Sequence, residues 1–211
     1  MNILCVPVGP LQANCYLLSD DEGVTCAIDP GGDHEKLAGL LSERGLDLSH
    51  ILLTHGHFDH LAGASQLAES TGALVGCAPG TVPMLRDPDS YIPFPGFGGI
   101  PGRDPDLVLS DGDVVEVGAL RIEVVPTPGH SPGDVTFAAG TALFCGDLLF
   151  YRSVGRTDFP GGDFETLLAS VQRLVDSFPL ETQVFPGHMQ ATTLGDELRY
   201  NPFLSRLTSS G

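Results

Sequence analysis

The chain has 211 residues, 42% of them hydrophobic, and its 27 acidic against 10 basic side chains give a formal net charge of −17. That length suits one domain with a sizeable core, and the charge argues against nucleic acid or an anionic membrane as partner. No apolar stretch is long enough to span a bilayer, and the N-terminus lacks the basic start of a signal peptide, so a cytoplasmic location is expected. The five cysteines, at 5, 15, 26, 77 and 145, are odd in number and contain no CxxC pair; they read as small core residues rather than a disulfide or zinc framework.

In chain order, NILCVPV, NCYLLSD and VTCAIDP read as strands, with β-branched residues and period-two stretches. PGGD leads into a helix over about 33–44, with Gly45 as its stop. A buried strand over 49–54 precedes a helix expected from about Asp59 to Ser70, ending near Gly72. Residues 86–106 are crowded with Pro and Gly and form a long irregular loop of a length common in lids. Tyr91, Phe94 and Phe97 in that loop are either lid aromatics or local packing. Strands resume in the 107–127 stretch, in DVTFAAG and in ALFCGD. A helix over about 163–176, the strand and turn TQVFPGH, and a last helix over about 194–206 complete the chain. Two mixed sheets packed together with helices outside satisfy this order.

The chemistry concentrates in LLTHGHFDHLAG. His55, His57, Asp59 and His60 fall within six positions, and packed together without a cation they would desolvate and crowd one another at a real cost. A metal ion resolves that conflict, because neutral imidazole and carboxylate are natural ligands. Three more ligand-type residues follow apolar runs: His130 in PTPGHSPG, Asp147 in LFCGDLLF and His188 in VFPGHM. Glycines beside these residues allow close backbone approach. Seven such groups exceed one tetrahedral site but suffice for two ions sharing one carboxylate, and no cysteine ligand is evident. Zinc, iron and manganese suit this donor set. Two ions 3.5–4 Å or so apart make a hydrolase centre in principle. His34 and His50 read as structural.

THGHFDH resembles the HxHxDH signature of the metallo-β-lactamase superfamily, and GHSPG, GDLLF and FPGH stand where that superfamily places its later metal motifs. The resemblance runs from NCYLL and AIDPGG nearly to the end. It implies an α+β fold, an αββα sandwich of two mixed β-sheets with outer helices and the metals at one edge. By motif it implies His55, His57 and His130 as ligands of a first divalent ion, Asp59, His60 and His188 as ligands of a second, and Asp147 as the bridge. Zinc is the first expectation for both, with iron or manganese as alternatives.

More locally, GDLLFYRSVGRTDFPGGD and PGHMQATTLGDELRYNPFL resemble the small glyoxalase II-like hydrolases. The resemblance implies a single domain over 1–211, without the C-terminal helical domain of full-length glyoxalase II. It implies hydrolysis of a small-molecule thioester of the S-D-lactoylglutathione type by a metal-bound hydroxide, with Asp59 orienting that hydroxide. Arg156 stands where glyoxalase II carries a lysine that contacts glutathione, so it is the expected substrate contact; a structural ion pair with Asp158 is the alternative. The main rival is a non-haem iron persulfide dioxygenase of the same superfamily, which would hold one iron by the residues matching His55, His130 and Asp147. A nuclease and a non-enzymatic binding protein are weaker rivals, the first disfavoured by the net charge and the second by the intact ligand positions.

Overall fold

The computed structural model describes residues 1–205 and 207. The first half of the chain builds one six-stranded sheet from β1 (Asn2–Val8), β2 (Ala13–Ser19), β3 (Val24–Ile28), β4 (Asp47–Leu53), β5 (Leu74–Cys77) and β6 (Leu107–Val108), in that spatial order. β1 to β3 pair antiparallel and β3 to β6 pair parallel. Helices α1 (His34–Arg44), α2 (Phe58–Leu61), α3 (Ala64–Thr71) and α4 (Val82–Arg86) lie within this half.

The second sheet uses β7 (Val114–Val117), β8 (Leu120–Pro126), β9 (Val135–Ala139) and β10 (Ala142–Gly146). A small hairpin of β11 (Leu149–Phe150) and β12 (Ser153–Val154) follows. Then come α5 (Phe164–Ser177), β13 (Gln183–Pro186), β14 (Thr192–Thr193) and α6 (Leu194–Tyr200). The second sheet has the order β14-β13-β10-β9-β8-β7, parallel only between β10 and β13.

Side-chain alternation explains the layering. Along β2, Cys15 and Leu17 pack with Leu37 and Leu41 of α1 and with Leu67 of α3, while Tyr16 and Leu18 point the other way, toward Val117, Ile122 and Phe137 of the second sheet. Along β4, Ile51 and Leu53 join the first group and Leu52 the second. On the far side of the second sheet, Leu143, Cys145 and Val184 meet Leu167, Val171 and Leu174 of α5 and Leu194 of α6. This is the period-two pattern of strands buried on both faces, and the result is the expected αββα sandwich with two mixed sheets. Phe137 and Phe144 are fully buried between the sheets, each contributing roughly 1.5–3 kcal/mol by burial.

Two helix expectations are corrected. The single helix over 59–70 is two: α2 ends at Leu61 and α3 starts at Ala64. The chain breaks there because the Gly63 N–H leaves the helical pattern to donate to the Pro30 carbonyl at 2.8 Å, which ties α2 to the turn after β3. The last helix stops at Tyr200 rather than 206. Asn201 accepts from the Phe203 N–H with its side chain, Pro202 lacks a donor, and a short 3₁₀ turn over Pro202–Leu204 follows; Arg206 lies outside the described residues. The short elements β5, α4, β11, β12 and β14 carry too few residues for a periodic signal and were not anticipated. Gly45 does end α1, with φ +64° and its N–H turned back to the Leu41 and Ser42 carbonyls. Among the described residues no helix is long and apolar enough to cross a membrane.

Candidate metal centre

Within each sheet the pairings run β3 with β4, and β8 with β10 and β13, in the same direction, and the residues that follow these five C-terminal ends meet at one edge of the sandwich. Each is followed directly by a polar residue or a short turn: Asp29 after β3, His55 and His57 after β4, His130 after β8, Asp147 after β10 and His188 after β13. Asp59 and His60 enter from α2. All seven residues expected as ligands are thus brought together.

They form two nitrogen-rich groups. His55, His57 and His130 converge, with His57 Nδ1 and His130 Nε2 2.8 Å apart. Asp59, His60 and His188 make the second group; Asp59 Oδ2 lies 3.1 Å from His188 Nε2 and 3.6 Å from His60 Nε2. Asp147 sits between them: Oδ2 is 3.7 Å from His130 Nε2 and 3.9 Å from His188 Nε2, and Oδ1 is 3.4 Å from His60 Nε2. Gly187 makes this closeness possible, since a Cβ there would lie 2.4 Å from Asp147 Oδ1 and 2.5 Å from His60 Cε1.

The rings are aimed by partners on their outer nitrogens. Asp29 accepts from the Thr54 N–H at 2.7 Å, the Thr54 hydroxyl at 2.6 Å and His60 Nδ1 at 2.9 Å. The Thr54 hydroxyl, having given its proton to Asp29, accepts from His55 Nδ1 at 3.0 Å. His130 Nδ1 donates to the Arg156 carbonyl at 2.7 Å. Each arrangement leaves Nε2 with its lone pair facing the centre, the tautomer a metal requires. Asp29 groups geometrically with His55 and His60, but its oxygens are already engaged, so it braces ligands rather than joining them.

Electrostatics tell the same story. Burial, reinforced by the neighbouring imidazoles, holds His55 well below its ordinary pKa and lowers His57 to about 4. Burial alone would lower His60 too, but Asp147 and Asp59 outweigh it and raise His60 well above the usual histidine range. Burial would likewise raise Asp147, but His60, His130 and His188 hold it far below the ordinary carboxylate range. The pair of carboxylates therefore demands positive charge at the second group. Three buried atoms, His55 Nε2, His60 Nε2 and Asp147 Oδ1, lack any hydrogen-bond partner, a cost of about 1–3 kcal/mol each. Cations among these atoms would satisfy all three, so the residues present fit a pair of divalent ions.

A cavity of about 730 Å³ opens over the centre. His57, Asp59, His130, Asp147 and His188 form its floor, and its walls include Phe58, Phe94, Phe97, Phe150 and Phe159. The 86–106 loop thus places two of its aromatics at the cavity: Phe97 against Phe58 at 5.0 Å and Phe94 near Phe159 at 6.3 Å between ring centroids. Tyr91 does not line it. Asp89 fastens this loop by accepting from the Gly99 and Ile100 N–H groups. Arg156 lines the cavity, but the Nε–Nη2 edge of its guanidinium is taken by Asp158, at 2.6 and 2.7 Å. His34 and His50 lie outside both ligand groups.

Two functional positions escaped the sequence reading. Asp29 in AIDPGG looks like the start of a turn, although it follows an apolar strand as Asp147 does. Asn14 looks like an interruption in an apolar run. Its side chain donates to the Pro186 and Met189 carbonyls at 3.0 and 2.8 Å, and the Tyr16 hydroxyl donates to Pro186 at 2.7 Å. Together they hold the turn that carries His188, in which Met189 has φ +67°.

Comparison with known proteins agrees with this geometry. Residues 8–188 match the family model described as the metallo-beta-lactamase superfamily. The chain is 37% identical to hydroxyacylglutathione hydrolase GloC of Haemophilus influenzae, over 97% of this chain and 99% of that protein. Among solved structures, the BLEG-1 B3 metallo-beta-lactamase superposes with a TM-score of 0.91 at 36% identity, covering 97% of this chain and all of that one. TTHA1623, solved in a di-iron-bound form, gives 0.81 at 43% identity, covering 95% of this chain and all of that one. Five strand ends, two histidine-rich groups and an aspartate between them therefore coincide with matches over nearly the full length: the chain belongs to the metallo-β-lactamase superfamily and is a metallo-hydrolase of that family.

Proposed function

We propose that this metallo-hydrolase cleaves small-molecule acyl thioesters of the hydroxyacylglutathione type. The observation that carries the reading is Asp147 between two nitrogen-rich groups on the floor of a largely apolar cavity. His55, His57 and His130 would hold one divalent ion, Asp59, His60 and His188 the second, with Asp147 shared. Bound there, such ions supply Lewis acidity and a nucleophilic water at neutral pH. Zinc, iron and manganese all suit the donors, and the di-iron relative lends iron support.

The chain's own residues do the rest. The aromatic walls take the acyl group and exclude bulk water, which strengthens every charge interaction on the floor. Asp59 lines the cavity, and its carboxylate orients the attacking water and receives its proton. A thiolate leaves readily, so no strong general acid is needed, and the absence, among the described residues, of an unpaired lysine or arginine lining the cavity is tolerable. The acidic surface favours this small-molecule role over nucleic acid or membrane. The GloC relative supports the thioester assignment.

The test is hydrolysis of S-D-lactoylglutathione by protein loaded with defined zinc, iron or manganese, beside His55→Ala. Metal-dependent turnover lost in the variant is the expected result. Sulfur-dependent oxygen uptake with glutathione persulfide, and no thioester turnover with both groups filled, would overturn it. β-Lactam hydrolysis is the second reading, favoured by the likeness to BLEG-1; turnover of a chromogenic cephalosporin at a rate above that of any thioester would establish it instead.

A further inference from the structure

Among the described residues Arg156 is the only lysine or arginine that lines the cavity. Its position alone would make it the natural partner for a carboxylate on the substrate, since a guanidinium recognises carboxylates bidentately. Its side-on edge is already engaged. Nε meets Asp158 Oδ1 at 2.6 Å and Nη2 meets Asp158 Oδ2 at 2.7 Å, and the guanidinium carbon lies 4.0 Å from the centroid of the Phe159 ring. Stacking and pairing fix the plane of the guanidinium at once. The other wall residues, among them Leu11, Pro93, Val154 and Met189, offer no charge and Ser153 only a hydroxyl. A substrate carboxylate would have to displace a neighbour two residues away in the same turn, whose effective concentration is high, to take that edge, and at Nη1 it would meet a charge that Asp158 already balances.

We propose that Asp158 is a specificity-determining residue: by pairing side-on with Arg156 it neutralises the one lysine or arginine side chain among the described wall residues, so that the site reads the acyl end of a thioester and does not read carboxylates on the thiol carrier. This rests on the thioesterase reading. Glutathione, with two carboxylates, and an uncharged thiol such as N-acetylcysteamine are then near-equivalent carriers for one acyl group. Arg156 keeps a place in the wall through its stacked face.

The experiment has two arms. The first compares kcat/KM for the same acyl group on glutathione and on N-acetylcysteamine, in wild type, Arg156→Ala, Asp158→Ala, Asp158→Asn and the Arg156→Ala/Asp158→Ala double variant, all metal-loaded. The second measures calorimetric binding of the uncleavable thioethers S-benzylglutathione and S-benzyl-N-acetylcysteamine to the same proteins. The expected result in both is a glutathione-to-N-acetylcysteamine ratio near one in wild type. That ratio should rise about tenfold when Asp158 is replaced, through a freed charge-assisted contact, and fall back in the double variant. A wild-type ratio already tenfold in favour of glutathione, or one that drops in Arg156→Ala alone, overturns the proposal. If no thioester turns over with both ion sites filled, the thioesterase reading fails, and the binding arm still decides what Asp158 does.

Discussion

The two sheets contribute to the metal centre in different ways. The half supplied by the first sheet is braced from within: Asp29 at the end of β3 holds Thr54, and through it His55, and holds His60 directly. The half supplied by the second sheet is braced from outside. His130 leans on the backbone of the 156 turn, and the His188 turn is held by Asn14 and Tyr16 of the first sheet. One carboxylate thus serves ligands of both groups, whereas the braces on the other side each serve one. Damage to the first half should be global, and damage to the second half local.

The largest effect should follow Asp29→Ala. It strands the buried Thr54 N–H and frees both His55 and His60, so metal affinity falls about 10- to 100-fold at each group. Stability drops by roughly 3–5 kcal/mol, as when one partner of a buried charged pair is removed. Metal stoichiometry by mass spectrometry and urea unfolding check this; loss of one ion alone would contradict the shared brace. Gly187→Ala comes next. Its methyl would collide with Asp147 and His60, so it should disturb the shared carboxylate and the second group while the fold persists, which circular dichroism and metal content would show.

Asn14→Ala sharpens the contrast. It removes two hydrogen bonds from the His188 turn without touching β4, so the second group should lose about 10-fold in metal affinity and the protein about 1–2 kcal/mol. The first group should be unaffected, and equal weakening of both would erase the distinction drawn here. The groups should also differ in proton release. At pH 7 His60 carries a proton in the metal-free protein, because Asp147 and Asp59 overcome its burial, while His55 and His57 are neutral. Metal binding at the second group should therefore expel the proton of His60, whereas His55 and His57 have none to release. Calorimetric titration in two buffers of different ionisation enthalpy reads this directly.

The same contrast explains what could be read from the chain. Five of the seven expected ligands sit after apolar strands, and Asp59 and His60 follow at once on α2, so residue type and spacing speak for themselves, while the layering was legible from the order of strands and helices together with the family resemblance. Asp29 and Asn14 were missed because their roles are non-local. Asp29 reaches Thr54 only because β3 and β4 run parallel as neighbours, with the Asp29 N–H on the Leu52 carbonyl. Asn14 reaches Pro186 across 172 positions. The Arg156–Asp158 pair was legible as an alternative because its partners are two residues apart. The helix over 59–70 misled because the bond that breaks it, from Gly63 to Pro30, also comes from another element.

The smallest effect concerns the turn beside His130. Asp134 is buried and accepts from the Ser131 N–H at 2.6 Å and from the Ser131 hydroxyl. Burial pushes its carboxyl up to about 6, against the lowering by these donors. Between the unfolded value near 4 and this folded value, the native state binds the extra proton. The stability Asp134 contributes is thus fully present below about pH 4 and lost as pH rises through 6, an effect of at most about 3 kcal/mol. Asp134→Asn keeps an acceptor for the Ser131 N–H and cannot titrate. Urea unfolding of metal-free protein from pH 4 to 7 should show the wild type losing stability relative to the variant across that window. Parallel curves would mean that Asp134 titrates alike in both states, and that the brace on the His130 side is carried by the Arg156 carbonyl alone.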